Sequence, residues 1–332
     1  MQRQQQLSEW LHGLSPDNDF TLTPASADAS FRRYFRVTFQ DGATRIAMDA
    51  PPSQEDCRPF LHVRKLFEDA STHVPHVYAQ DLEQGFLLLS DLGSTTYLQA
   101  LTSKNAKQLY GAATDALINI QLASKANELP IYDEALLRHE LELFSEWYIS
   151  KHLGVTLSEK QKGKLELCFQ RILHNNLAQP RVYVHRDYHS RNLTYVDDIN
   201  PGIIDFQDAV YGPITYDLAS LFKDAYIRWE EADVIDWLIP YWEKARKAKL
   251  PVNEDFGTFY RDYEWMGVQR HLKVLGIFAR LYHRDGKEDY LKNMPWVFEY
   301  LHRACVRYID LKPLQVLLEE LHPRLIQEGY SF

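Results

Sequence analysis

The sequence is poor in cysteine: it contains Cys57, Cys168 and Cys305, which lie far apart in a chain of 332 residues. They form no CxxC pair, which argues against a thiolate zinc site or a disulfide framework and fits a reducing compartment. The chain also lacks an apolar run of membrane-spanning length, and its polar N-terminus lacks the apolar core of a signal peptide. These absences predict a cytoplasmic protein without a membrane partner.

Positive charge is also in deficit, with 37 Lys and Arg residues against 46 Asp and Glu residues and a net charge of −9. This balance disfavours non-specific binding to nucleic acid or to anionic membranes. Hydrophobic residues make up 45% of the chain, which is ordinary for a globular protein. The length allows two domains or lobes, and we expect a monomer.

The first ninety residues have the pattern of a small β-rich lobe. Residues 4–14 carry apolar side chains at helical spacing, whereas residues 20–50 change to the period of two that is typical of strands. Residues 53–70 return to helical spacing, and strand-like segments follow at 74–80 and 85–90. The pattern predicts a sheet of about five strands with one helix inserted between them.

The rest of the chain is predicted to be mostly helical. Apolar periodicity near 3.6 recurs at residues 104–123, 133–152, 158–173, 214–227, 231–247 and 256–283. Short β segments interrupt this pattern between residues 181 and 206. We therefore predict an α+β fold with a β-rich lobe at residues 1–92 and a helical lobe at residues 93–332.

One motif carries the chemistry: residues 185–192 read H-R-D-Y-H-S-R-N, and Asp205 follows at the end of an apolar run. The spacing H-R-D-x-x-x-x-N is that of a kinase catalytic loop. Asp187 is the predicted base, because its carboxylate can orient a substrate hydroxyl and accept its proton. Asn192 and Asp205 are the predicted magnesium ligands, because Mg²⁺ prefers oxygen donors together with phosphate. The motif predicts phosphoryl transfer from ATP.

Other polar residues around this loop have supporting or open roles. His185 is expected to hold the shape of the loop through hydrogen bonds to neighbouring backbone. Asp217 is expected either to cap a helix or to accept hydrogen bonds from the backbone of the catalytic loop. His189 and Arg191 are candidates for substrate contact, although the sequence does not choose their orientation.

The acceptor is predicted to be a small molecule. Only six residues separate Asp205 from Gly212, where the next helix region begins. This is too short for the long activation segment with which protein kinases dock peptides.

Four segments support a resemblance to a known family: 29–36 (A-S-F-R-R-Y-F-R), 48–52 (M-D-A-P-P), 85–93 (G-F-L-L-L-S-D-L-G) and 204–218 (I-D-F-Q-D-A-V-Y-G-P-I-T-Y-D-L). The chain resembles the aminoglycoside phosphotransferase and choline kinase-like superfamily, and within it the bacterial kinases of the anomeric hydroxyl of N-acetylmuramate and N-acetylglucosamine. The resemblance implies a bilobal protein-kinase-like fold and an enzyme that makes a sugar 1-phosphate from ATP during cell-wall sugar recycling.

The resemblance also implies a nucleotide site. Backbone at Ser90, Asp91 and Leu92 would bind adenine, and the segment 27–33, with Ser30 and Arg32, would lie over the phosphates. Two features depart from the family pattern: the phosphate loop has no glycine, and the strand that usually carries a phosphate-binding lysine reads I-A-M-D-A at residues 46–50. We expect Arg33, or else Arg32, to replace this lysine. Glu55 is the candidate for the helix glutamate that usually pairs with it.

The acceptor contacts are less defined. Glu140 and Arg270 are candidates, since an arginine could pair with the lactyl carboxylate of N-acetylmuramate. Two alternatives stay open. An aminoglycoside or amino-alcohol kinase would need a strongly acidic acceptor pocket, and a catalytically silent nucleotide-binding regulator is suggested by the missing lysine.

Overall fold

The computed structural model describes residues 2–14, 19–26, 31–197 and 199–322. Contacts within the chain define two compact units. The first comprises Met1–Asn119 and Arg191–Asp208, and the second comprises Ile120–Ser190 and Ala209–Phe332. The predicted domain boundary after residue 92 stays a prediction.

The elements are numbered in chain order. The strands are β1 (Phe20–Ser26), β2 (Arg33–Phe39), β3 (Thr44–Asp49), β4 (Val77–Asp81), β5 (Phe86–Ser90), β6 (Arg181–Val184), β7 (Leu193–Thr194), β8 (Gly202–Ile203) and β9 (Val210–Pro213). The α-helices are α1 (Gln2–Leu14), α2 (Arg58–Asp69), α3 (Tyr97–Ala100), α4 (Ala106–Leu122), α5 (Glu134–Leu143), α6 (Glu159–Leu177), α7 (Tyr216–Phe222), α8 (Glu231–Lys247), α9 (Phe256–Asp285), α10 (Met294–Arg307) and α11 (Lys312–Leu321). A π-helix covers Phe144–His152, and short 3₁₀ helices cover Glu288–Asn293 and Ile309–Leu311.

The first unit contains a five-stranded antiparallel sheet, in the order β1-β2-β3-β5-β4. The alternating sequence of β2 places Phe35 and Val37 on a buried face. Helix α1 packs Leu7 and Leu11 into the same apolar cluster. The predicted sheet of about five strands and the predicted mixed α+β class are confirmed.

Helix α2 begins later than predicted, at Arg58 instead of near Ser53. The two prolines at 51–52 lead into a turn in which the Pro51 carbonyl accepts hydrogen bonds from Gln54 and Glu55. Pro59 then stands in the first turn of α2, where its missing N–H and fixed φ angle cost little. Glu55 therefore precedes the helix.

The second unit is mostly helical and is arranged around α9, a helix of 30 residues. Asp255 caps its N-terminus by accepting the N–H of Thr258, and Gly286, with φ of +66°, ends it in the left-handed conformation. In its middle, Gly276 lies against the backbone of Leu143, where an added Cβ would come within 2.4 Å of the Leu143 carbonyl carbon. The close approach of these two segments requires glycine.

Two helical segments of the second unit differ from their predicted form. The segment predicted as one helix over 133–152 is α-helical to Leu143 and continues as the π-helix. The segment predicted over 214–227 is helical only within α7, which ends at Phe222. The described part of the chain contains no helix that is long and apolar enough to cross a membrane.

Candidate active site

The loop at residues 185–190 begins where β6 ends, and Asp217 in the first turn of α7 fixes its start. The Asp217 carboxylate accepts the backbone N–H of His185 at 2.7 Å and that of Arg186 at 3.0 Å. Burial raises the pKa of Asp217 to about 7, against the effect of these two donors. Arg186 has a φ of +77°, a strained conformation for a residue with a side chain. Asp217 therefore holds an unfavourable backbone turn in place.

His185 lies inside this turn and is fully buried. Its Nδ1 accepts the backbone N–H of Asp187 at 3.2 Å, and its ring meets the edge of Tyr188. The accepting Nδ1 must be unprotonated, so the ring acts as a neutral hydrogen-bond acceptor. These contacts are those of a residue that shapes the loop around Asp187.

Asp187 has 41% of its side chain exposed and faces a buried cation. Arg270 Nη1 lies 3.7 Å from Asp187 Oδ1. Burial alone would raise the pKa of Asp187, but the charges of Lys273 and Arg270 outweigh it and hold the pKa well below its usual range. At neutral pH the carboxylate is therefore ionised and can only accept hydrogen bonds.

Lys273 and Arg186 are held by Glu140, which is buried on α5. Glu140 Oε1 pairs with Arg186 Nη2 at 2.7 Å and with Lys273 Nζ at 2.9 Å, and Tyr132 donates its hydroxyl to Oε2. Burial would raise the pKa of Glu140, but Lys273 and Arg186 lower it. The network ties α5 and α9 to the loop.

This network changes the interpretation of two residues that the sequence suggested as acceptor contacts. Both carboxylate oxygens of Glu140 are engaged by other side chains of the protein. Arg270 is buried as well, and it donates from Nη1 to the carbonyl of Arg186 at 2.9 Å while facing Asp187. Both side chains support the loop, and their contact with an acceptor stays a prediction. The sequence did not reveal this because the partners are far apart in the chain.

The rear of the loop contains His189 and Ser190, both buried. The His189 ring packs edge-on against Tyr226 at 5.4 Å between centroids. Ser190 hydrogen-bonds to Asp224, a residue that the sequence analysis missed. The signal that could have revealed Asp224 is the charged pair Lys223 and Asp224 within the mostly apolar stretch 218–227. Arg191, the next residue, is exposed.

In the first unit, Asn192 and Asp205 are brought together. Asn192 Nδ2 donates to Asp205 Oδ2 at 3.1 Å, and Gln207 Nε2 donates to Oδ1 at 2.9 Å. The next residue, Phe206, packs against Phe60 of α2. Asp205 itself has a φ of +62°, so a strained backbone positions its carboxylate.

The side-chain oxygen atoms of Asn192 and Asp205 are suitable ligands for magnesium. An amide oxygen and a carboxylate are hard ligands, and Mg²⁺ is commonly bound by one or two such groups together with waters and phosphate oxygens. Among the described residues no cluster of three or more His, Cys, Asp or Glu side chains could hold a metal. The described residues therefore do not supply a full set of metal ligands. The pair Asn192 and Asp205 fits a metal ion whose other ligands would come from a nucleotide and water.

The predicted adenine-binding segment lies at the end of β5. The N–H of Ser90 donates to the carbonyl of His76 at 2.8 Å, and Leu92 is buried. The carboxylate of Asp91 accepts two hydrogen bonds from Arg36, at 2.6 and 3.1 Å, and the N–H of Gly93 at 3.0 Å. These contacts fix the segment, with Asp91 closing its turn.

The two arginines proposed to replace the lysine have different partners. Arg32 Nη2 donates to Glu55 Oε2 at 3.0 Å. Arg33 stands opposite Asp49 in the β2–β3 register and pairs with its carboxylate, which also binds Arg3 of α1. Ser30 lies outside the described residues. Glu55 is thus paired with Arg32, the arginine that the sequence analysis ranked second.

Known proteins are similar in sequence to most of this chain. The sequence model of the phosphotransferase enzyme family matches residues 21–251. The N-acetylmuramate/N-acetylglucosamine kinase of Neisseria meningitidis is 49% identical, with all of both chains covered. The enzyme of that name from Pseudomonas putida is also 49% identical, over 96% of each chain.

Two solved structures share the fold. A choline kinase from Streptococcus pneumoniae has a TM-score of 0.64 at 14% identity and covers 91% of this chain and 100% of its own. An ADP-bound aminoglycoside phosphotransferase has a TM-score of 0.58 at 15% identity, with 89% and 96% covered. Together these likenesses define a kinase-like α+β fold.

The chain belongs to the phosphotransferase enzyme family. It is an ATP-dependent phosphotransferase, and the family resemblance expected from the sequence is confirmed. The alternative of a catalytically silent regulator, which depended on the missing lysine, loses its support.

Proposed function

We propose that the protein transfers the γ-phosphoryl group of ATP to the anomeric hydroxyl of N-acetylmuramate, N-acetylglucosamine or both, and so makes a sugar 1-phosphate for cell-wall sugar recycling. The observation that carries this proposal is the 49% identity to kinases of these two sugars over the whole chain. We further propose that the enzyme acts in the cytoplasm as a monomer.

The buried cations near Asp187 are offset by carboxylates. Arg270 faces Asp187, whereas Lys273 and Arg186 pair with Glu140. The choice of an amino sugar over a cationic acceptor therefore rests on the 49% identity to the two sugar kinases.

The low pKa of Asp187 also suits an anomeric hydroxyl. In a loose transition state the hydroxyl needs orientation first and loses its proton late. Asp187 would accept a hydrogen bond from this hydroxyl and take its proton as the oxygen–phosphorus bond forms and the bond to ADP breaks. An anomeric hydroxyl is more acidic than an ordinary alcohol, so a weakly basic carboxylate is an adequate acceptor.

The remaining roles concern the nucleotide. We propose that Asn192 and Asp205 hold Mg²⁺, which would supply positive charge beside the phosphate oxygens when bound. Backbone at Ser90, Asp91 and Leu92 is proposed to bind adenine. Arg32 is proposed as the phosphate-binding cation, because it pairs with Glu55, the candidate for the glutamate that usually pairs with the lysine.

The experiment is an acceptor panel with purified enzyme, ATP and Mg²⁺. ADP release should be measured with both N-acetyl sugars, with an aminoglycoside, with choline, and with the methyl glycoside of N-acetylglucosamine. The methyl glycoside is the matched control, because it differs only in its blocked anomeric oxygen. We expect turnover of the free sugars alone, with kcat/KM at least about 100-fold above the other acceptors.

Phosphorus NMR of the product should show an anomeric phosphate, and removal of Mg²⁺ with EDTA should stop the reaction. Turnover of the methyl glycoside at the rate of the free sugar, or preference for choline or the aminoglycoside, would contradict the proposed acceptor.

A further inference from the structure

Asp224 is a buried carboxylate that follows α7 and touches the loop of the predicted base. It is only 2% exposed. Its Oδ2 accepts the backbone N–H of Ser190 at 2.9 Å and the Ser190 hydroxyl at 2.5 Å, while Oδ1 accepts the backbone N–H of Tyr226 at 3.0 Å. Burying a carboxylate is costly unless hydrogen bonds compensate, and here three donors do so.

Ser190 lies close in sequence to both Asp187 and Asn192. It lies three residues after Asp187 and two residues before Asn192. It is also the last residue of the second unit before the chain enters the first unit at Arg191. Asp217 holds the start of this loop through His185 and Arg186, whereas Asp224 holds its end through Ser190.

The peptide that carries Asp224 is itself fixed against α9. The carbonyl of Lys223 accepts a hydrogen bond from His271 Nε2 at 3.1 Å. The Lys223 side chain passes over Gly267, where an added Cβ would lie 2.7 Å from its Cδ. Asp224 therefore links the loop to α9, because the adjoining Lys223 carbonyl is hydrogen-bonded to α9 and the Asp224 carboxylate is hydrogen-bonded to Ser190.

We propose that Asp224 is a positioning residue for phosphoryl transfer, which acts through Ser190 to fix the end of the loop that carries Asp187. The inference rests on the proposed role of Asp187. Asp224 does not itself contact substrate in this account. Its loss should lower the rate of the chemical step more than the affinity for either substrate, because small displacements of reacting groups have large effects on rate.

Two variants and their combination test this inference. Asp224→Asn keeps the shape, but its NH₂ group must face an N–H donor whichever way the amide is turned. Ser190→Ala removes one hydroxyl and leaves the backbone N–H. We expect kcat to fall about 50-fold for Asp224→Asn and about 5-fold for Ser190→Ala, with both KM values within about threefold of wild type.

The double variant should be no slower than Asp224→Asn by more than about twofold, because both changes break the same contact. Matched controls are Asp262→Asn, a partly buried carboxylate that accepts from Asn175, and Ser124→Ala, whose hydroxyl accepts the N–H of Tyr183. Both controls should keep the wild-type kcat.

A residue that merely supports folding would change the fraction of active enzyme and the melting temperature, but not kcat per active site. Single-turnover measurements with enzyme in excess separate these effects. Wild-type kcat in Ser190→Ala, or an unchanged rate per active site in Asp224→Asn, would overturn the inference. Failure of the proposed function would appear differently, as wild-type enzyme that does not phosphorylate either sugar. The variants are compared on whichever acceptor the wild-type enzyme uses.

Discussion

The cations around Asp187 and those on the sheet of the first unit differ in their exposure to solvent. Beside Asp187 in the second unit, the side chains of Arg270 and Lys273 are 5% and 7% exposed. On the sheet of the first unit, the side chains of Arg36 and Arg33 are 27% and 43% exposed. Buried cations are fixed and weakly screened, whereas exposed ones are mobile and screened by salt. The cations beside the base are thus weakly screened, whereas the ion pairs of Arg36 and Arg33 on the sheet are more open to water and salt.

The largest expected effect is at the predicted base, Asp187. Asp187→Asn keeps the side-chain shape and its neighbours but removes the proton acceptor. We expect kcat to fall about 10³-fold or more, with the KM for ATP within about threefold. Steady-state kinetics measure this effect, with Asp236→Asn on the exposed side of α8 as the matched control. A variant that retains more than a tenth of the activity would remove Asp187 from the mechanism.

The next test breaks the buried network. Glu140→Gln leaves Arg186 and Lys273 without their countercharge, and we expect a loss of about 3–5 kcal/mol in the free energy of unfolding at pH 7. Glu166→Gln is the matched control, because Glu166 pairs with Arg138 at the surface and should contribute less than about 1 kcal/mol. Urea denaturation measures the free energy of unfolding of both variants and of the wild type.

The pH dependence of this loss has a defined sign. The folded protein lowers the pKa of Glu140, so its stabilisation is complete above the unfolded value of about 4.3 and is lost as the pH falls towards the folded value. The difference between wild type and Glu140→Gln should therefore shrink below about pH 4. A difference that grows on acidification would contradict the charge assignment.

The smallest expected effects concern Arg32, which precedes β2, and Arg33, the first residue of that strand. Arg32→Ala should raise the KM for ATP about 10-fold, because it removes the proposed phosphate-binding cation. Arg33→Ala should change this KM less than about threefold, since Arg33 shares Asp49 with Arg3. Initial rates at varied ATP decide between them. The opposite ranking would restore Arg33 as the replacement for the lysine, and two unaffected variants would exclude both.

Features encoded locally were predicted well from the sequence. Helix α8 has the bounds that its apolar periodicity predicts, and α6 begins after Ser158, whose hydroxyl accepts the N–H of Gln161. The loop at 185–192 was recognised because its residues are adjacent in the chain. The role of such residues in the reaction stays a prediction until the variants are measured.

Features that depend on distant partners were missed. Glu140 lies 46 residues from Arg186, and Ser190 lies 34 residues from Asp224, so no local pattern pairs them. The change from α5 to a π-helix has no evident signal in the sequence either. Burial decides whether a carboxylate binds substrate or supports other residues, and burial is a property of the tertiary structure.

The strained turn at Arg186 has a consequence for redesign. Glycine would adopt its φ of +77° without penalty, so a glycine at this position would relax the backbone. It would also delete the guanidinium that spans from the loop to Glu140. The substitution Arg186→Gly would therefore remove the backbone strain and the ion pair with Glu140 together, so the geometry of this turn and the buried network depend on the same residue.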